Sequence, residues 1–216
     1  VPILKPKQEY HHLSITVPQP DAPPARIALL DNSHTSKTLG IWTNPLNCPI
    51  VPLSKLKNKG MDWVDRLGRR PLERQDAWLS LTTQEYPKWS YGLSSLYATP
   101  VELDKVMGSI YFKSLPFLGF NRYITKEFRT LPTDYQGVGL RQWSIEKLSR
   151  DLSFLLRHWN STSTLGQAFQ LLYEAFQMEV GLDGNILTRS FEKFGHIATH
   201  SWFKILWEYS SVYNVQ

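Results

Sequence analysis

The residues most able to do chemistry in this chain are cationic. Residues 53–74 carry Lys55, Lys57, Lys59, Arg66, Arg69, Arg70 and Arg74 against Asp62, Asp65 and Glu73, and so hold four of the five excess positive charges of a +5 chain. A local excess of this kind is the pattern of contact with a polyanion, although a solvated helix face also produces it. Other chemistry is hard to assemble. Gly137-Val-Gly139 lacks the third glycine and the strand-to-helix setting of a dinucleotide site, so a tight turn explains it. His196 and His200 have the spacing of two ligands on one helix face, but no neighbouring Glu and no third ligand, so packed or exposed histidines are the plainer reading. Cys48 is the only cysteine, which excludes an internal disulfide framework and a Cys-based zinc site. The chain has no Gly-x-Ser-x-Gly, no phosphate-binding Gly-Lys-Ser/Thr loop and no Asp-Asp pair.

These residues need elements to hold them. At 216 residues and 42% hydrophobic, the chain is long and apolar enough for one sizeable domain or two small ones. Its apolar runs are too short to span a bilayer. It starts Val1-Pro2-Ile3-Leu4-Lys5, with neither an initiator Met nor a signal-peptide layout, and reads as a piece of a longer protein. Nine of its fourteen prolines fall before residue 53, so that part should form short extended pieces: His12–Val17, Arg26–Leu30 and Lys37–Thr43. Residues 1–36 are expected to be irregular, since a small sheet needs a packed face.

The remainder is predicted to be helical. From Leu53 to Leu67 the apolar residues Leu53, Leu56, Trp63, Val64 and Leu67 share one arc, and Lys55, Lys59, Arg66, Arg69 and Arg70 share another, roughly opposite. Gly60 inside this helix marks a boundary or a kink. A second helix should run from Leu72 to Glu85 with Pro71 at its first position. A third opens at Thr99-Pro100-Val101-Glu102, a capping box with Pro at N1, and buries Leu103, Val106, Met107, Ile110 and Tyr111. An irregular stretch to Leu140 precedes a helix capped by Ser144, with Leu148, Leu152, Leu155, Leu156 and Trp159 inward. Thr164–Val180, stopped by Gly181, and a helix over His200–Tyr213 complete the reading. The fold class is therefore mainly helical α+β, with a small antiparallel N-terminal β region.

In order and spacing, these segments resemble the reverse transcriptases of retrotransposable elements, in the part downstream of the polymerase active site. Lys37-Thr38-Leu39-Gly40-Ile41-Trp42 is similar to the Leu-Gly strand at the palm edge, where the primer end is held. The helices from Leu53 to Leu115, with Asp62-Trp63-Val64-Asp65-Arg66-Leu67 and Leu103-Asp104-Lys105, resemble the thumb. Tyr135-Gln136-Gly137-Val138-Gly139-Leu140 resembles the turn that follows it. The resemblance covers most of residues 35–142. It implies a palm-edge remnant over 1–48, a thumb-like region over 49–120 and a helical connector over 121–216. It further implies an intracellular protein whose partners are an RNA/DNA template–primer duplex and the upstream palm and fingers of a parent RNA-directed DNA polymerase. Lys37, Gly40, Trp42, Lys55, Lys59, Arg66, Arg69 and Arg70 are the implied contacts.

The family's aromatic-x-Asp-Asp hairpin is missing from this sequence, and carboxylates must hold the two metals of such a polymerase. The chain alone is thus expected to do no chemistry and to hold no cofactor, Mg2+ belonging to the parent enzyme. Two other readings remain open: a helical protein-interaction module with a basic surface, and an unrelated enzyme with a dispersed site.

Overall fold

A computed structural model describes residues 14–17, 25–28, 34–70 and 72–215. The chain is mainly helical, with two short antiparallel hairpins ahead of the helices. β1 (Ser14–Val17) pairs with β2 (Ala25–Ala28), Ser14 opposite Ala28. The expectation for the rest of residues 1–33 lies outside the described residues.

Lys37–Thr43 is not one strand. It folds as a second hairpin, β3 (Ser36–Thr38) and β4 (Ile41–Thr43), with Thr38 opposite Ile41 and Lys37 opposite Trp42. Leu39 and Gly40 form the two-residue turn with φ of 49° and 88°. Positive φ at both positions gives a turn whose twist matches its strands, and glycine takes up this geometry at least cost. Period-2 alternation reads alike through a strand and through a hairpin this tight, so the sequence pattern missed the reversal.

α1 (Ile50–Arg69) starts earlier than predicted, because Pro52 is tolerated in a first turn whose N–H groups are free in any case. It buries Leu53, Gly60, Trp63, Val64 and Leu67. Gly60 is not a boundary, since the helix runs on unbroken to Arg69, and it is a contact point. A Cβ there would collide with the Ile110 side chain of α4 (Pro100–Ser114). The second helix begins at Arg74, not Leu72, and Pro71 lies outside the described residues. α2 (Arg74–Ser80) runs through a π-helical turn, Leu81–Glu85, into α3 (Tyr86–Ser90). Pro87 has no N–H to continue the regular ladder, and the wide turn sits immediately before it.

α4 opens with the predicted capping box: the Thr99 hydroxyl accepts from Glu102 N–H, and the Glu102 carboxylate accepts from Thr99 N–H. After a short α5 (Lys126–Thr130), the Gly137–Leu140 turn folds back on it, with Val138 and Leu140 N–H donating to Phe128 and Arg129 carbonyls. α6 (Trp143–Trp159) departs from expectation at both ends. Ser144 is buried inside the helix and accepts from the Tyr213 hydroxyl rather than capping, and Leu156 is exposed. α7 (Thr164–Val180) ends at Gly181 in the left-handed conformation as predicted. α8 (Phe191–Phe194) and α9 (Trp202–Val212) follow.

Two buried clusters result. The first gathers α1–α4 and reaches Val138, Leu140 and Trp143, past residue 120, around the edge-to-face group Trp63, Tyr86, Trp89 and Trp143. The second gathers α6, α7 and α9 around Phe169, Phe176, Phe203 and Trp207. Between them, Lys147 and Asp151 form a fully buried ion pair on α6. Burial pushes the Lys147 pKa down and the Asp151 pKa up, while their mutual contact opposes both shifts. Among the described residues, no helix is long and apolar enough to cross a membrane.

Candidate nucleic-acid interface

The turn of the β3–β4 hairpin lies against the α1 and α3 side of the first cluster. Tyr91, just past α3, donates its hydroxyl to the Leu39 carbonyl at 2.8 Å. A Cβ on Gly40 would sit 3.3 Å from the Tyr91 ring. The turn geometry and this approach account for the glycine on structural grounds alone. Trp42, across the ladder from Lys37, lies under the Lys55 ammonium, 5.0 Å from the ring centroid. Such cation–π contacts at exposed sites contribute roughly 0.5–1 kcal/mol. The result is a shallow groove lined by Gly40, Trp42, Lys55, Lys59 and Lys88.

Lys88 was not legible as part of the site. It lies outside the charged window, on α3, and reaches the groove only because α3 packs beside α1. Lys37 is exposed on the hairpin. From Lys55 to Arg70 the exposed cations run about 22 Å along α1, at 1.5 Å per residue.

The basic stripe is not opposite the buried arc. At about 100° per residue it lies nearer a quarter turn from the middle of that arc, which is why its members touch their neighbours. Arg66 donates to the Glu85 carboxylate at 3.4 Å and to the Asp62 carbonyl at 3.3 Å. Glu85, which is buried, also accepts from Lys88 at 2.8 Å. Arg66 and Lys88 are therefore partly neutralised by an acid that the sequence did not single out. Arg69 and Arg70 are exposed at the C-terminal end of α1, where a cation is also favoured by the helix dipole. Lys55 and Lys59 keep exposed charge with no carboxylate partner among the described residues.

A second concavity, about 750 Å³, opens between the clusters. Trp42, Tyr97, Phe154, Phe169, Leu172 and Trp202 line much of it, and Glu179 is its only charged lining residue. The cleft is bridged by a contact between His200 Nε2 and the Asn47 carbonyl at 3.2 Å. His196 and His200 do not share a helix, since the chain turns between α8 and α9 there. No cluster of three or more His, Cys, Asp or Glu suited to a metal occurs among the described residues.

No family model, no characterised protein and no solved structure matches this chain. The functional reading therefore rests on the groove and the stripe themselves.

Proposed function

We propose that this chain is the non-catalytic C-terminal part of a retroelement reverse transcriptase and that it holds template–primer duplex through phosphate contacts. The observation that carries this reading is the convergence of two separated sequence segments, the hairpin with Gly40 and Trp42 and the helix with Lys55 and Lys59, on one groove whose lining includes these two exposed lysines, with Lys37 exposed on the hairpin beside it. Arg69 and Arg70 extend that surface along α1. Contacts of this type set the position of a duplex and read no sequence.

Duplex titration at several salt concentrations tests the reading. With about three to five phosphates engaged, log K falls against log salt with a slope of roughly −3 to −4.5, at ~0.9 per phosphate. Replacing Lys55 or Lys59 by Ala lowers the slope by about one unit and weakens all sequences alike. Arg66→Ala lowers it less, because Glu85 already occupies that guanidinium. The unmodified chain extends no primer with Mg2+ or Mn2+. A fivefold Ala variant at Lys55, Lys59, Arg66, Arg69 and Arg70 that keeps its fold, affinity and slope would refute the reading.

One observation favours a second reading, a protein-interaction module. Leu156 on α6 and Leu171, Leu172 and Met178 on α7 are exposed, so α7 is apolar well beyond the face that packs inward. Duplex affinity that depends on none of the α1 cations would favour that reading.

A further inference from the structure

The cleft of about 750 Å³ between the two clusters has a volume in the range of small-molecule sites, about 300–1,000 Å³. Its walls come from β4, the segment before α4, α6, α7 and the start of α9. Phe154, Phe169 and Trp202 meet edge to face, with ring centroids 5.4 to 6.3 Å apart. Trp42 and Tyr97 face this group as further aromatic lining, both only half-buried. Leu172 and Ala175 supply the α7 wall and are exposed. Most of the lining is thus apolar or aromatic surface that no part of the described chain covers.

One charge sits in this setting. Glu179 lies one turn past Ala175 on the same side of α7, is exposed, and lines the cleft. Its Oε1 accepts from Thr199 N–H at 2.5 Å, which fixes the carboxylate without neutralising it. Among the described residues it has no cationic partner. A single carboxylate is too few oxygen ligands for a metal ion, and a neutral apolar guest would strip water from it with nothing in return. An organic cation meets both demands, because aromatic faces and a carboxylate each attract positive charge.

We propose that this cleft binds a small organic cation, an ammonium group carried on an apolar or aromatic body. The rings and Leu172 take the body, and Glu179 takes the charge. The cleft asks for a cation where the α1 groove asks for an anion, so the failure of this proposal and the failure of the duplex reading are distinguishable.

Three compounds of similar size serve as probes: 3-phenylpropyltrimethylammonium, neutral 3-phenylpropan-1-ol and anionic 3-phenylpropionate, each titrated calorimetrically into the full chain. The cation binds saturably, tighter than the alcohol by about threefold or more, and the anion binds weakest. Added salt weakens the cation and spares the alcohol. Glu179→Gln keeps an oxygen for Thr199 N–H, brings the cation down to the affinity of the alcohol, and leaves the alcohol within about twofold. Glu174→Gln makes the same charge change at an exposed α7 residue outside the cleft, and leaves the cation within about twofold. If Glu179→Gln does not fold, the unmodified chain decides: the Trp202 indole N–H signal shifts with the cation and stays fixed at the same concentration of the anion. Absence of saturable binding, equal binding of all three compounds, or an unchanged cation affinity in Glu179→Gln overturns the proposal. So does a dimer in sedimentation that the cation cannot enter and Leu172→Glu abolishes, which would give the cleft to a second copy of the chain.

Discussion

The two buried clusters are of similar material but present opposite surfaces. The N-terminal one packs α1 against α4 at the Gly60–Ile110 contact and closes around four edge-to-face aromatic rings. Its exposed faces carry the excess positive charge. The C-terminal one buries more phenylalanine, yet leaves leucines of α6 and α7 and the wall of the cleft uncovered. Its α7 has only Glu174 and Glu179 as charged residues, whereas α1 carries five lysines and arginines. The difference teaches that core composition does not decide what a helical unit offers its partners. What decides it is the residue type on the part of each helix that the core leaves over.

The largest test of this comparison is at the seam. Lys147→Met leaves Asp151 buried and uncompensated, and should cost about 3–5 kcal/mol in denaturant unfolding. Adding Asp151→Leu to it should recover most of that loss, since replacing both partners of a buried pair by apolar groups is often neutral. A loss below about 1 kcal/mol for the single variant, within the range of an exposed pair, would mean that water reaches the pair and the two clusters are not joined through it.

Next comes the close approach that distinguishes the N-terminal cluster. Gly60→Val forces Ile110 and the α1–α4 spacing to give, and overpacking of this kind costs about 1–3 kcal/mol. Hydrogen exchange should localise the loosening to α1 and α4. Uniform loosening of α7 and α9 as well would show that the two clusters unfold as one.

Gly40→Val has a smaller, local effect. A φ of 88° is unfavourable for a β-branched residue, at about 1–2 kcal/mol by the general cost of left-handed backbone. The hairpin should fray and release Trp42 from Lys55, visible in tryptophan fluorescence and as weaker duplex binding, with Tm almost unchanged. Unchanged binding despite a frayed hairpin would remove Lys37 and Trp42 from the interface.

The smallest effect is at Glu208 on α9, whose pKa is raised chiefly by burial and further by Glu102, with Lys204 opposing. A carboxyl raised in the folded state holds its proton more tightly there than when unfolded. Its contribution is therefore complete below the ordinary glutamate range near ~4.3 and is lost as pH rises through the higher folded value. Glu208→Gln should stabilise the chain at pH 7 by under about 1 kcal/mol, solvent screening included, and give no gain at pH 4. A gain equal at both pH values would assign the effect to packing instead.

Much of this structure was determined by local sequence. The α4 capping box is written in Thr99, Pro100 and Glu102, the end of α7 in Gly181, and the inward faces of α1 and α4 in their 3.6-residue spacing. These features depend on neighbours three or four residues away, so the chain specifies them by itself. The Lys55–Lys59 end of the candidate site was legible for the same reason. The tertiary structure decided what local pattern cannot. Lys37–Thr43 alternates as a strand would, but two positive φ angles fold it back, and Tyr91, more than fifty residues later, receives the turn. Lys88 joins the groove, and Glu85 takes up part of Arg66, because α3 packs beside α1. Ser144 looked like a cap until Tyr213 closed over it. Each of these outcomes turns on a contact between residues distant in sequence, and periodicity carries no information about which faces will meet.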